Sequence, residues 1–149
     1  MRPPLLRALA ATAFAAVALP AVLVAQDGAA LYARCAACHQ ANGTGVPGAF
    51  PPLAGSEWVV GKPDAAIRIL LHGVQGALTV KGVTYNQSMP AYGTGQIMTD
   101  AEVAAVLTYV RTSFGNKASA VTAAQVAGVR AATKGRKAQW MEAELKPFR

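Results

Sequence analysis

A chain of 149 residues suits one domain of ordinary size and leaves little room for two independent cores. Its apolar fraction of 53% is concentrated in the first 25 residues and in alanine, so it does not imply a membrane bundle. The net charge of +7 is uneven: residues 26 to 116 balance, while residues 117 to 149 carry seven basic residues against two acidic ones, and with no base-stacking aromatics among those charges nucleic acid is not an expected partner.

Residues 1 to 25 read as a secretory signal peptide. Arg2 and Arg7 give a positive start, Leu9 to Val24 is uncharged and apolar, and Val24-Ala25-Gln26 offers a small-residue exit. An uncleaved anchor formed by residues 9 to 24 is the competing reading, with Pro20 kinking it. Both place the body of the protein outside the cytoplasm, so a periplasmic location is expected, membrane-associated if the signal is retained.

The remaining chain divides into a domain at 26 to 116 and a basic, partly helical extension at 117 to 149. Asp27 is an N-cap candidate for a first helix that runs into Cys35. Asn42 to Pro52 holds three glycines and three prolines and reads as a long irregular loop of the kind that serves a site. Pro63 and Asp64 open a helix with Ile67, Leu70 and Leu71 on one face, stopped at Gly73. Leu78 to Val80 and Val83 to Tyr85 read as brief strands around the turn Lys81-Gly82. Thr99 and Glu102 form a capping box before a helix that presents Val103, Val106, Leu107, Val110 and Phe114 on one face and ends at Gly115. A second capping box, Thr122 with Gln125, opens a last helix through Val126, Val129 and Arg130 towards Gly135. The basic extension is expected to be a solvated surface, with docking to an acidic partner or anionic lipid as the alternative.

Cys35-Ala36-Ala37-Cys38-His39 is a CxxCH haem-attachment motif. On a helical turn, residues three apart face the same side, so both thiols can reach one porphyrin edge while the histidine reaches the iron. A disulfide, a thioredoxin-like dithiol and a zinc site compete with this reading. The dithiol fold wants a strand before the motif, where a helix is expected, and zinc would need His72 as a further ligand. For the sixth position on the iron the chain offers Met89, Met98, Met141 and His72. Met89 is favoured: it sits in Gln87-Ser88-Met89-Pro90, on a loop stiffened by the proline, and its soft thioether favours ferrous iron. Met98 is expected to staple against Val103, Met141 to pack at the surface, and His72 to serve as a cap or dipole contact at a helix end.

Taken together, Cys35 to His39, Phe50-Pro51-Pro52-Leu53-Ala54-Gly55-Ser56, Ser88-Met89-Pro90-Ala91-Tyr92 and Leu107-Thr108-Tyr109-Val110-Arg111 resemble a class I c-type cytochrome in matching order over about residues 27 to 115. The resemblance implies an all-α fold of four to five helices around one covalent haem c, with a small β-hairpin before the methionine ligand and a close crossing of the first and last helices of the domain. It implies that the Pro51 carbonyl accepts a hydrogen bond from His39, fixing its orientation, and that Leu53 packs on the porphyrin. Trp58 and Tyr85 are weaker matches, to a propionate contact and to a polar group near the Met89 sulfur, with core packing the alternative for both. Gly82-Val83-Thr84-Tyr85-Asn86 before Met-Pro is similar to small cytochromes that serve bacterial dehydrogenases and terminal reductases or oxidases.

Cys35 and Cys38 are thus expected to hold the haem covalently, His39 and Met89 to ligate its iron, and Pro51 and Leu53 to support it. The expected function is single-electron transfer to and from redox partner proteins such as a periplasmic dehydrogenase, oxidase or reductase. No catalysis of its own is expected. A haem enzyme or gas sensor with a labile Met89, using His72 as its distal imidazole, is one alternative; a docking subunit of a dehydrogenase or oxidase complex is another.

Overall fold

The computed structural model describes residues 26–93 and 97–149; the expected signal peptide lies outside the described residues. Helix α1 (Gly28–His39) starts where the Asp27 carboxylate accepts from the Ala29 and Ala30 amides at 3.0 and 3.2 Å, which satisfies two of the donors a helix start leaves unpaired. A single turn, α2 (Glu57–Val60), precedes α3 (Pro63–His72), which opens on proline and stops at Gly73. Strands β1 (Ala77–Val80) and β2 (Val83–Asn86) pair antiparallel, Leu78 opposite Tyr85. Their turn puts both Lys81 and Gly82 at positive φ, the twist a two-residue hairpin prefers.

Helices α4 (Asp100–Thr112) and α5 (Ala123–Ala132) both carry complete capping boxes, Thr99 with Glu102 and Thr122 with Gln125. A further single turn, α6 (Glu142–Leu145), and a 3-10 turn (Lys146–Phe148) finish the chain. The four long helices match those expected from periodicity, and the single turns are additions. Helix α4 ends earlier than its apolar pattern suggests. Phe114 stands beyond it at φ +59°, its ring 5.2 Å from Tyr32 and 5.7 Å from Tyr109, so it seals the crossing of α1 and α4 from a turn instead of from the helix. Helix α5 likewise stops at Ala132, three residues before Gly135.

Two apolar clusters build the interior. The larger gathers Tyr32 of α1, Ile67, Leu70 and Leu71 of α3, Val103, Val106, Leu107 and Val110 of α4, and Val126 and Val129 of α5. The smaller joins Trp58, Ala65, Val74, Leu78, Val80 and Tyr85 to Trp140 and Leu145 from the end of the chain. Met98 is buried in the larger cluster with Val103, as a staple requires, and Met141 is more than half exposed. The chain beyond Lys117 therefore supplies side chains to both clusters. Of its seven cations, Lys117, Lys134, Lys137, Lys146 and Arg149 are exposed as expected of a solvated face, whereas Arg130 and Arg136 turn inward onto Asp100 and Glu144. Among the described residues no helix is long and apolar enough to cross a membrane.

Candidate cofactor-binding site

Between the two clusters opens a cleft that, with its mouth, encloses about 1190 Å³. Met89 packs against both clusters and lines this cleft, together with Cys35, Cys38 and His39. The last turns of α1 carry the two cysteines three residues apart with His39 at the helix end, so one short element delivers three of the four expected groups. Both thiols are free, half-buried and outside any disulfide, and a helix precedes them, unlike the strand a thioredoxin-like motif would follow.

The glycine- and proline-rich loop after α1 folds back under the helix end. Gly45 donates to the His39 carbonyl at 2.9 Å, and Leu53 and Ala54 donate to the Gly43 carbonyl at 2.8 and 3.0 Å. Gly45 permits this because a Cβ there would stand 2.3 Å from the Phe50 carbonyl oxygen. The return brings the Pro51 carbonyl to His39, whose Nδ1 donates to it at 2.9 Å. A neutral imidazole that donates from Nδ1 keeps a lone pair at Nε2. Burial pushes the His39 pKa below its ordinary value, against the smaller opposing pull of the Pro51 carbonyl, so the ring is held in the neutral form that a metal needs.

The cleft walls are mostly apolar. Leu53, Leu70, Leu78 and Leu107 line them beside Trp58 and Tyr85. The Trp58 indole N–H donates to the Thr79 carbonyl at 2.8 Å, and its ring is buried in the smaller cluster while lining the cleft. Burial raises the Cys35 pKa, leaving a protonated thiol at neutral pH. Two convergent thiols, a buried neutral imidazole with a free nitrogen, a thioether and a dry wall form a donor set that suits a covalently attached, axially ligated haem.

His72 does not line the cleft. It is buried, with Nε2 2.7 Å from the Thr133 hydroxyl, and its ring meets Trp140 edge-on. It stands neither beside the cysteines as a zinc ligand nor over the cleft as a distal base.

Two residues that periodicity and motif reading passed over shape the site. Asn116 donates to the Leu53 and Val110 carbonyls at 3.1 and 2.8 Å and accepts from the Gly55 amide at 2.8 Å, tying the loop that carries Pro51 and Leu53 to the end of α4. Gln139 donates to the Met89 carbonyl at 2.7 Å. Neither belongs to a motif, and no local pattern distinguishes them.

A protein-family model described as Cytochrome c matches residues 25–114. A cytochrome c-552 of Thermus thermophilus is 45% identical over 98 residues, which cover 63% of this chain and 64% of that protein. The cytochrome c subunit of the quinone alcohol dehydrogenase of Gluconacetobacter polyoxogenes is 38% identical over 107 residues, 69% of this chain but 22% of the subunit. The CcoP subunit of the cbb3-type cytochrome c oxidase of an Azospirillum species is 35% identical over 88 residues, 58% of this chain and 29% of that subunit. The chain thus spans under two thirds of the first and less than a third of each larger subunit.

Proposed function

The chain belongs to the cytochrome c family, and on that premise we propose that it is an exported electron-transfer protein holding one haem c through Cys35, Cys38, His39 and Met89. The observation that carries the proposal is the convergence of these four side chains on one apolar cleft, with His39 Nδ1 engaged by Pro51. When bound, the haem supplies the one-electron chemistry. The cysteine thiols would hold it through thioether bonds, and the Pro51 carbonyl, by accepting from Nδ1, fixes the imidazole and leaves Nε2 to serve as a ligand. Met89, which lines the same cleft, would supply the second ligand to the iron in place of a substrate. Leu53 and the neighbouring apolar walls exclude water, which limits reorganisation when charge changes and favours the reduced state.

The reading as a carrier without catalysis of its own is supported by the placement of His72, which removes the imidazole that a ligand-activating haem enzyme would want near the cleft. A second reading is favoured by the similarity to dehydrogenase and oxidase cytochrome subunits: the chain would then pass electrons while docked to a larger enzyme. Periplasmic location forms part of the proposal, since covalent attachment of this kind and the signal peptide expected at residues 1 to 25 would both point outside the cytoplasm.

Production in a host that attaches haem to exported proteins tests this. The mature protein is expected to carry the mass of one haem, a low-spin spectrum, a weak near-infrared band from methionine on ferric iron, and no reaction with carbon monoxide. Met89→Ala removes that band, while Met98→Ala and Met141→Ala keep it. A colourless product after correct maturation, with the mass of the bare polypeptide, overturns the proposal. Co-purification with a dehydrogenase or oxidase from the native membrane would favour the docked form over the free shuttle.

A further inference from the structure

The segment that carries Met89 is held from outside by the C-terminal extension. Val74 pairs with Met89 on one side and with Trp140 on the other. Met89 donates to the Val74 carbonyl at 2.8 Å and Val74 donates back at 3.2 Å; Trp140 donates to the Gly73 carbonyl at 3.0 Å and its own carbonyl accepts from Gln75 at 2.9 Å. Gln139 bridges the two segments that flank Val74 directly. Its amide nitrogen donates to the Met89 carbonyl at 2.7 Å, and its amide oxygen accepts from the Ser88 hydroxyl at 3.0 Å. The approach requires glycine at 73, where φ is +75° and a Cβ would stand 2.4 Å from the Met89 oxygen and 2.8 Å from the Gln139 nitrogen.

Gln139 is itself fixed. The Arg136 guanidinium donates to the Ala138 and Gln139 carbonyls at 2.9 Å each, pairs with Glu144 at 2.7 Å, and lies 3.4 Å over the Trp140 ring. Further along the same loop, Arg130 of α5 donates to the Gly93 and Met98 carbonyls. The loop is thus tied to the extension at Ser88, Met89, Gly93 and Met98.

We propose that Gln139 is a positioning residue for Met89, and that the C-terminal strap sets how readily the sixth ligand leaves the iron. This rests on the reading of Met89 as that ligand. A loop-borne thioether leaves by turning about its own side-chain bonds or together with its backbone, and the second route here breaks the Gln139 contacts as well as the pairing with Val74. Hydrogen bonds that hold the Met89 backbone where its side chain lines the cleft bias the equilibrium towards the ligated arrangement by their net worth. For the Gln139 pair that is roughly a tenfold effect.

The test is a titration of the ferric holoprotein with imidazole, read by loss of the near-infrared methionine band. Gln139→Ala is expected to bind imidazole about tenfold more tightly than the parent. Gln139→Glu keeps the side-chain length and the acceptor for Ser88 but loses the donor to Met89, and is expected to shift the same way. Lys137→Ala, an exposed neighbour on the strap, should match the parent. Imidazole affinities of both Gln139 variants within twofold of the parent overturn the proposal, provided that Met89→Ala lacks the band; if Met89→Ala keeps the band, the ligand reading fails instead. Failure of both Gln139 variants to fold also overturns it, because it would assign Gln139 to overall stability and not to Met89.

Discussion

Arg111 is 2% exposed and, among the described residues, has no carboxylate partner. Its charge is met by oxygens instead: the guanidinium donates to the Val59 carbonyl, to the Gly61 carbonyl at 3.0 Å, and to the Ser119 carbonyl and hydroxyl at 2.7 and 3.2 Å. Arg111→Met would fill the space but leave carbonyls of the α2 turn and of the extension unpaired. A loss of about 3 kcal/mol in urea unfolding is expected; a loss under about 1 kcal/mol would show that water replaces the guanidinium. His72 carries a second prediction. Thr133 gives its only hydrogen to the Val129 carbonyl at 2.7 Å, so the imidazole Nε2 is the donor in the bond between them. Burial, then Arg136, Arg130 and Arg68, hold its pKa below the ordinary value; each of these arginines has its own carboxylate in Glu144, Asp100 or Asp64. The unfolded chain takes up this proton near the usual histidine pKa and the folded chain does so only at lower pH, so stability falls as pH drops below about 6.5 and levels out below the folded value. His72→Gln should flatten that slope by up to one proton, at most about 1.4 kcal/mol per pH unit, in urea titrations between pH 7 and 5. An unchanged slope would exclude His72 as its source.

At the scale of elements, the crossing of α1 and α4 depends on Gly28. A Cβ there would lie 2.4 Å from the Ala105 carbonyl oxygen and 2.9 Å from the Tyr109 Cβ. Gly28→Ala gains helix propensity yet forces the two backbones apart where the start of α1 crosses α4. A net loss of about 2 kcal/mol in melting or urea experiments is expected, and a variant as stable as the parent would show that the helices separate without cost. Elements of this kind were legible wherever local chemistry decides them: the caps at Asp27, Thr99 and Thr122, proline at 63, and the Lys81-Gly82 turn each act over three or four residues. The single turns α2 and α6 were not, because four residues carry no period. Phe114 misled for a related reason. Its spacing continues the α4 face, but a left-handed backbone turns it onto Tyr32. Of the candidate site, the residues next to each other in sequence stood out by spacing. Asn116 and Gln139 did not, since they reach Leu53 and Met89 across 63 and 50 residues.

For the whole molecule, the extension is part of the core, and this changes what experiments on it can mean. Val121, Val126, Val129, Trp140 and Leu145 are all buried, so deleting residues 117 to 149 would strip both apolar clusters as well as the charges. A truncated protein that transfers electrons poorly would therefore say nothing about docking. The exposed cations can be separated from the packing, because Lys117, Lys134 and Lys137 make no ion pair among the described residues. Replacing all three with glutamate should leave the melting temperature close to the parent's, each exposed change contributing within about 0.5 kcal/mol. The same triple variant lowers the formal net charge from +7 to +1. With ferricyanide as a small anionic oxidant, its rate at low salt should fall and its dependence on ionic strength should flatten, since long-range attraction of exposed charges is what salt screens. A rate equal to the parent's at every salt concentration would place these lysines outside the field that guides an anionic partner to the cleft. A fall in melting temperature as large as that of the truncation would instead show that the charged face supports the fold.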